Sequence, residues 1–229
     1  MNVLVVHPYL SVLGGGERVC VHVVKALLEE GYDVGLIGEP TGFSKLKQIV
    51  GVSLEDTPVK LYPYKKFKLK IRKFSVYQRM LHHMFSKLSL GKRVGKPEVE
   101  FLTQDVAFMV DAGKRKIAYV HFPEFLAHLE TQKPSLKWFW KTYYAPIKKC
   151  WKRSVDKVDL FLCNSNFTRK HILERWGKDA VVVYPPVDVE DFKPSQTKKD
   201  VVVSIGRFVQ TSGHLYTSLL TTQLWPSSG

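Results

Sequence analysis

Residues 2–6, Asn-Val-Leu-Val-Val, and the glycine-rich turn at 14–16, Gly-Gly-Gly, decide the fold of this chain. The short apolar run is rich in β-branched residues and predicts a buried parallel strand. From Glu17 onward apolar residues fall at helical spacing, and Gly31 is suited to a left-handed C-terminal cap. Residues 34–37, Val-Gly-Leu-Ile, predict a second strand. Together these segments predict a βαβ unit with a right-handed crossover.

Gly14, Gly15 and Gly16 lie at the predicted junction between the strand and the helix. Glycines at such a turn allow the backbone to approach a ligand closely. The start of a helix also offers free N–H groups and the positive end of its dipole to an anion. The turn therefore indicates a phosphate or carboxylate site, and the alternative is that the glycines only form a tight turn.

Composition places the chain among ordinary folded proteins. Its 229 residues are 45% apolar and 12% aromatic, enough for one large domain or for one and a half smaller ones. No segment approaches the ~20 uncharged apolar residues that span a bilayer, and no signal peptide pattern begins the chain. Cys20, Cys150 and Cys163 fit neither a disulfide framework nor a zinc site. We therefore expect reduced thiols, no metal, and a cytoplasmic location.

The net charge of +14 is concentrated in one segment, since residues 57–97 contain twelve Lys or Arg and no Asp or Glu. Its densest cations alternate with aromatic and aliphatic residues; they are Lys65, Lys66, Lys68, Lys70, Arg72 and Lys73. The segment is typical of a solvated basic strand or loop, of a surface for anionic lipid headgroups or a lipid-phosphate acceptor, or of a nucleic-acid patch. Because nothing else in the chain resembles a nucleic-acid module, we expect no nucleic-acid partner. A peripheral position on the cytoplasmic face of a membrane is the alternative that this segment favours.

Further strands and helices alternate along the chain. Strands are predicted at 59–62, 99–102, 117–120, 159–163 and 180–183, and helices at 43–50, 75–88, 136–155 and 167–176. The last of these helices is predicted to begin with the N-cap residues at 164–166, Asn-Ser-Asn, and to end at Gly177. This alternation predicts an α/β fold with a doubly wound parallel sheet. Ligands of such sheets bind beyond the carboxyl ends of the strands. The glycines at 14–16, His121 and Ser165 all follow strands directly, so we expect them to lie in one crevice.

Two domains are predicted, one over residues 1–186 and a second that begins with a linker and covers 187–229. Pro185 and Pro186 stop the last strand of the first domain, and a new apolar strand begins at Val201. The last 19 residues, from Thr211, contain no charged side chain and eight Ser or Thr. A frame-shifted or truncated end explains this change better than a designed tail, and a disordered tail is the alternative.

Six short motifs occur in the order and spacing of a known family. They are His7-Pro8-Tyr9, Gly14-Gly15-Gly16-Glu17-Arg18-Val19, Tyr119-Val120-His121-Phe122-Pro123, Ser165-Asn166-Phe167-Thr168, Tyr184-Pro185-Pro186-Val187-Asp188 and Ile205-Gly206-Arg207-Phe208. In these motifs residues 1–208 resemble glycosyltransferase family 4, whose members have the GT-B fold. Within the family the likeness is closest to the lipid-linked-oligosaccharide α-1,2-mannosyltransferases.

The resemblance implies a retaining transferase that moves a hexosyl group, mannosyl in the closest likeness, from a GDP- or UDP-sugar to a lipid-linked or glycan acceptor. It implies a Rossmann-like N-terminal domain for the acceptor and a second domain for the donor, with no cofactor. By position, Gly15 and Gly16 match the loop near the donor diphosphate, and His121 matches the histidine near the reacting sugar. Arg207 matches the arginine that pairs with the leaving diphosphate. Ser165 lies on the same side of the predicted cleft, and we expect it to bind the substrate or the donor phosphate together with Gly14, Gly15 and Gly16.

This chain also departs from the family. Family members place a lysine before a glycine shortly after that arginine, whereas Ser212 stands before Gly213 here. The acidic motif of the second domain and the closing helix are absent, so we expect a half-enzyme that transfers sugar poorly on its own. Two alternatives remain. One is a dinucleotide-dependent oxidoreductase, suggested by Glu39 but opposed by Val19 in place of a third glycine. The other is a non-catalytic fragment that binds an acceptor or a membrane.

Overall fold

The structure is a computed structural model that describes residues 1–12, 14–39, 54, 57–64, 75–123, 137–187, 189, 193, 201–202, 209–211, 214–216 and 223–224. The chain forms two compact units, Met1–Pro186 and Val187–Gly229. That the second unit begins a donor-binding domain stays a prediction.

A seven-stranded, wholly parallel sheet forms the centre of the first unit. Its strands are β1 (Asn2–Val6), β2 (Asp33–Gly38), β3 (Lys60–Pro63), β4 (Val99–Leu102), β5 (Arg115–Val120), β6 (Leu160–Cys163) and β7 (Val181–Val182). Their order in the sheet is β3-β2-β1-β4-β5-β6-β7, and every neighbouring pair is parallel. The order turns back at β1 and β4, which is the switch point of a doubly wound sheet. The predicted fold class is confirmed.

Among the described residues, four α-helices connect these strands: α1 (Gly15–Glu29), α2 (Ser75–Val94), α3 (Lys137–Asp156) and α4 (Asn166–Trp176). Helix α2 continues six residues beyond its predicted end at Leu88, and α3 accommodates Pro146 within its span. The helix predicted at 43–50 lies outside the described residues. In the part of the chain that the structure describes, no helix is long and apolar enough to cross a bilayer.

Both faces of the sheet are covered, which explains why β1 is apolar from Val3 to Val6. Val3 and Val5 pack on one side with α1, where the buried partners are Cys20, Val21 and Val24. Leu4 and Val6 face the other side, where the helices contribute Leu90, Val94, Trp151, Val155 and Ile172. Because helices cover both sides of the sheet, the four β1 residues from Val3 to Val6 are buried, and Asn2 lies at the exposed end of the strand. It also fixes the polar residues that follow each strand at one edge of the sheet.

Helix ends follow the predicted caps. The Ser165 hydroxyl accepts the Thr168 N–H at 3.2 Å and caps α4, and Gly177 ends that helix with φ +64°. Gly31 follows α1 with φ +77°, a left-handed conformation that glycine adopts without a steric penalty. These caps set where each helix begins relative to the strand before it.

A buried carboxylate organises the connection between β4 and β5. Glu100 is fully buried in β4, and its two oxygens accept backbone N–H groups from four consecutive residues at 110–113. An ionised carboxylate with that many donors is stable in the interior because each oxygen is solvated by the chain itself. The connection between Thr103 and β5 is thereby attached to the sheet.

The second unit contains two small antiparallel sheets. Strand β8 (Val201–Val202) pairs with β11 (Gln223–Leu224), and β9 (Val209–Thr211) pairs with β10 (His214–Tyr216). The new strand predicted from Val201 is therefore present in part, and its described partner lies far along the chain. Strands of two or three residues are too short to produce an alternating pattern, so the sequence of the uncharged segment shows no sign of them.

Candidate active site

Four polar residues follow the carboxyl ends of four adjacent strands. His7 follows β1, Thr103 follows β4, His121 follows β5, and Asn164 follows β6. Val6 pairs with Leu102 and Val120 pairs with Cys163, while β5 continues for two residues beyond Ala118, the partner of Leu102. The four residues therefore form a row that crosses the switch point between β1 and β4, where ligands of doubly wound sheets bind.

The three glycines begin α1 beside this row. Gly14 is the N-cap residue, and its N–H donates to Glu17 Oε2 at 2.7 Å. Gly15 and Gly16 occupy the first turn, and among the described residues their N–H groups have no hydrogen-bond partner. These donors and the helix dipole together present positive potential to an anion. The structure thus places the glycines where the sequence predicts, and phosphate binding stays a prediction.

Gly16 lies directly against His121. A Cβ atom at Gly16 would be 3.3 Å from His121 Nε2 and 3.8 Å from His7 Cε1, which is tighter than ordinary packing for the nearer contact. A Cβ atom at Gly15 would meet no protein atom within 4 Å. The absence of a side chain at Gly16 therefore allows the loop to approach the histidine, whereas the space beside Gly15 is open to a ligand.

His121 is held in one tautomer by the strand next to it. Its Nε2–H donates to the Thr103 carbonyl at 3.0 Å, and its own carbonyl accepts Asn164 Nδ2 at 2.9 Å. Burial lowers the pKa of His121; the Thr103 carbonyl and Glu17 oppose that shift, and the nearby His7 adds to it. The ring is therefore neutral near pH 7, and Nδ1 keeps its lone pair.

His7 has the opposite electrostatic character. Its Nδ1 lies 2.9 Å from Thr103 Oγ1, and its Nε2 lies 3.5 Å from Glu17 Oε1. Because the Thr103 hydroxyl donates to the Val6 carbonyl at 3.4 Å, it accepts from His7, and both ring nitrogens are donors. Burial lowers the pKa of His7, but Cys20 and Glu17 raise it more, so the net shift is upward.

Glu17 is the anionic partner in this arrangement. Burial raises its pKa, but the hydrogen bonds from His7, from its own backbone and from Gly14 lower it more, so the net shift is downward. An anionic Glu17 beside a cationic His7 satisfies both groups in an interior where either charge alone would be costly.

Ser165 lies in the same crevice, but its hydroxyl is occupied by the start of α4. Besides capping Thr168 N–H, its Oγ lies 3.0 Å from Asn164 Oδ1 and 3.2 Å from Thr168 Oγ1. Asn164, which the sequence analysis did not select, is the residue that bonds to the His121 backbone. A role for Ser165 in binding the donor phosphate stays a prediction.

Other predicted site residues lie outside the described residues. They are Arg207, the proposed partner of the diphosphate, and the basic set Lys65, Lys66, Lys68, Lys70, Arg72 and Lys73. Their roles stay predictions.

Four residues of the site escaped the sequence analysis as functional candidates: His7, Glu17, Thr103 and Asn164. Two signals were available, since His7 and Thr103 each directly follow a predicted strand, and Gly14 with Glu17 has the spacing of a capping box. Glu39, which suggested a ribose-binding acid, is buried, and its carboxylate accepts the Ser11 N–H at 3.2 Å. That bond gives Glu39 a structural role within this chain.

A model of the family described as Glycosyltransferase Family 4 matches residues 13–191, well over half of the chain. The chain belongs to glycosyltransferase family 4. The match includes the glycine turn, Thr103, His121 and Ser165 of this family 4 chain, whereas His7 precedes the matched region. Membership in glycosyltransferase family 4 argues against the hypothesis of a dinucleotide-dependent oxidoreductase.

Two curated relatives are similar to this family 4 chain over most of its length. Both are named GDP-Man:Man(3)GlcNAc(2)-PP-Dol alpha-1,2-mannosyltransferase; the one from Dictyostelium discoideum is 24% identical and the one from Mus musculus 26% identical. Each alignment covers 91% of this chain and 49% or 50% of the relative. The chain thus spans about half the length of these relatives.

Solved structures show the same fold. The calicheamicin glycosyltransferase CalG4 superimposes with a TM-score of 0.51 at 13% identity, over 88% of this chain and 56% of CalG4. The apo form of the lipopolysaccharide outer core galactosyltransferase WaaB gives a TM-score of 0.50 at 16% identity, over 88% of this chain and 51% of WaaB. The architecture of this family 4 chain is therefore that of GT-B glycosyltransferases.

Proposed function

We propose that this chain is the acceptor-side half of a retaining glycosyltransferase that transfers a hexosyl group, mannose in the first instance, from a nucleotide-sugar to a lipid-linked or glycan acceptor. Family membership supports glycosyl transfer, and the names of the two relatives support GDP-mannose as donor and a diphosphate-linked oligosaccharide as acceptor. A UDP-sugar is the second choice of donor. The nucleotide-sugar is a substrate, and the proposal includes no metal or other cofactor.

One observation carries this proposal: the first turn of α1, where the Gly15 and Gly16 N–H groups have no partner among the described residues, lies against a neutral His121 at the switch point of the sheet. The N–H groups of Gly15 and Gly16 suit the charge that develops on a departing diphosphate. The His121 Nδ1 lone pair suits a hydrogen bond from a sugar hydroxyl. Arg207 is proposed to add a bidentate cation for the diphosphate, and Ser165 to lie at the edge of the same crevice.

Ligand titration of the wild type and of two glycine variants, Gly15→Ala and Gly91→Ala, tests the proposed anion site. Two-dimensional NMR of the purified chain is followed while GDP-mannose, or separately a lipid-free Man(3)GlcNAc(2)-diphosphate, is added. We expect the amide signals of Gly15 and Gly16 and the ring signals of His121 to shift. Gly15→Ala is expected to weaken binding about tenfold, because its methyl group meets no protein atom and would occupy space beside the ligand.

Gly91→Ala is the matched control, since Gly91 lies in α2 and its added Cβ atom also meets nothing within 4 Å. That variant is expected to bind like the wild type. Absence of shifts with both ligands, or unchanged binding by Gly15→Ala, contradicts the proposed site.

Ser212 stands where family members have a lysine, and the chain spans about half the length of the two relatives, so we propose that residues 1–229 transfer sugar slowly or not at all by themselves. Incubation with GDP-mannose and a diphosphate-linked acceptor, followed by mass spectrometry of the glycan, tests this directly. We expect binding without a mannosylated product. Steady turnover by the purified chain would overturn the statement about activity and leave the binding site in place.

A second candidate function, attachment to an anionic membrane from the cytoplasmic side, is favoured by the exposed faces of α2 and α3. Large apolar side chains are exposed there: Phe85 by 66%, Leu88 by 64% and Trp138 by 76%. Exposed cations surround them on the same two helices, namely Lys92, Arg93, Lys141, Lys148, Lys149, Lys152 and Arg153. Basic side chains next to exposed aromatic rings are suited to anionic headgroups and to the interface.

The two helices cover the same face of the sheet, since both contribute to one core cluster. Their outer faces are therefore on one side of the first unit. The predicted basic set at 65–73 is proposed to extend this surface. Such attachment would serve a lipid-linked acceptor and would also serve a non-catalytic acceptor-binding protein.

A further inference from the structure

Three buried polar side chains lie beneath the glycine loop. His7 is 1% exposed, Glu17 5% and Thr103 0%. They come from three different parts of the fold: the residue after β1, the first turn of α1, and the residue after β4. Polar groups this deeply buried are retained only when hydrogen bonds satisfy them, and here they satisfy each other.

The two ends of this group reach the two parts of the candidate site. At one end, Glu17 Oε2 accepts the Gly14 N–H at 2.7 Å and so fixes the beginning of the glycine loop. At the other end, the Thr103 carbonyl accepts His121 Nε2–H at 3.0 Å and so fixes the tautomer of that ring. His7 is the only described side chain that bonds to both Glu17 and Thr103.

The charge of His7 makes this link specific. Glu17 and Cys20 from α1 face the imidazole, and His121 is close enough to be affected by its charge. With a cation at His7, Glu17 stays ionised and aimed at Gly14, and the His121 ring is kept neutral. A neutral side chain at position 7 would leave the Glu17 carboxylate buried without a counterion.

We propose that His7 is a positioning residue that couples the glycine loop to His121 through Glu17 on one side and Thr103 on the other. The coupling is a property of the folded chain. Only the identity of the ligand on which the glycine loop and His121 act rests on the proposed function. Movement or neutralisation of His7 is expected to change the Gly14 hydrogen bond and the His121 tautomer together.

Nuclear magnetic resonance of the whole chain without any sugar ligand tests this coupling. The readouts are the amide proton shift of Gly14 and the ring ¹⁵N shifts of His121, which report its tautomer and its pKa. His7→Gln removes the charge, and Thr103→Val removes the hydroxyl while keeping the carbonyl that binds His121. In both variants we expect the Gly14 amide to move upfield and the His121 tautomer ratio to fall about fivefold, the factor an ordinary hydrogen bond contributes.

Two control variants test whether the effects are specific to the Thr103 hydroxyl and to a histidine at position 7. Thr103→Ser retains the hydroxyl and is expected to behave like the wild type. His22→Gln makes the same chemical change on α1, where His22 Nδ1 bonds to the Arg18 carbonyl one turn away, and is expected to leave both readouts unchanged. In His7→Gln the His121 pKa is expected to rise, because the neighbouring cation is gone.

A shift at Gly14 without a change at His121, or the reverse, overturns the coupling. Loss of the folded state in both His7→Gln and Thr103→Val also overturns it, because the group would then be structural only. Since the experiment contains neither the sugar donor nor the sugar acceptor, these outcomes are independent of sugar binding. A chain that shows the coupling but does not bind GDP-mannose would retain this inference and lose the proposed function.

Discussion

Two histidines within one polar row have opposite pKa shifts. The net shift of His7 is upward, since Cys20 and the Glu17 carboxylate outweigh the effect of its burial, whereas burial and the charge of His7 shift His121 downward. The difference arises from partners and not from depth, because both rings are largely enclosed. A cationic and a neutral imidazole side by side can perform different tasks at one pH: one holds a carboxylate, and the other accepts a proton or a hydrogen bond.

The buried pair makes stability depend on pH in both directions. Glu17 contributes stability above its ordinary value of 4.5 and loses it as the pH falls through its lowered pKa. His7 contributes stability below its ordinary value of 6.5 and loses it as the pH rises through its raised pKa. We therefore expect the free energy of unfolding, measured with urea, to be greatest between pH 4.5 and pH 6.5, the ordinary pKa values of the two groups.

His7→Gln is expected to lower the free energy of unfolding by about 3 kcal/mol near the middle of that window, because it leaves a buried carboxylate unpaired. Its dependence on pH above the window should also become flatter. His22→Gln should change stability by less than about 0.5 kcal/mol. Parallel curves for His7→Gln and the wild type across the whole range would contradict the assignment of charge to this pair.

At the scale of elements, glycine occurs in two different backbone conformations in the helices of this chain. Gly177 ends α4 in the left-handed region with φ +64°, where an L side chain is strained. Gly91 lies inside α2 without a positive φ and with open space around a Cβ atom, so there glycine only weakens the helix.

The two glycines therefore predict opposite results for one substitution. Gly177→Ala is expected to destabilise the chain by about 1 to 2 kcal/mol. Gly91→Ala is expected to stabilise it by up to about 1 kcal/mol. Urea unfolding followed by circular dichroism measures both, and equal signs for the two variants would show that the cap geometry is wrong.

Much of the element pattern could be predicted from the sequence because it is local. Apolar runs, helical spacing and cap residues gave the strands and helices of the first unit, including Ser165 and Gly177 as caps. Partners distant in sequence could not be predicted in that way. Glu100 in a predicted strand gives no sign that four N–H groups from 110–113 will surround it. The meeting of His7 with Thr103 likewise depends on the placement of β4 next to β1.

At the scale of the whole molecule, the excess of positive charge is available for a partner. The exposed faces of α2 and α3 combine cations with apolar side chains that have no core to enter. Each basic residue near an anionic membrane adds about 1 kcal/mol, and the effect falls off within a Debye length of about 10 Å at 0.1 M salt. Several such residues acting together suffice for reversible attachment.

Vesicle sedimentation tests this surface. We expect the chain to bind vesicles that contain anionic phosphatidylserine and to be released several-fold when the salt is raised from about 0.1 M to about 0.5 M. Combining Phe85→Ser with Leu88→Ser should weaken binding further, since both side chains are exposed and their loss leaves the core intact.

Val187→Ser is the control, because Val187 is also an exposed apolar residue but lies outside both helices. It should not alter sedimentation. Binding that is insensitive to salt, or equally strong on neutral phosphatidylcholine vesicles, would argue against an electrostatic membrane surface.

The position of β1 at the centre of the parallel sheet also affects how the protein is made. Val3 pairs with Val34 on one side and with Val99 on the other, so nearly 100 residues separate β1 from its second neighbour. At a synthesis rate of about 5–20 residues per second, that interval corresponds to roughly 5–20 s. During this time an apolar strand emerging from the ribosome has one unpaired edge, which is a site for aggregation or for a chaperone. An interior strand of the finished sheet is thus made before the other strands of that sheet and has to be protected longest.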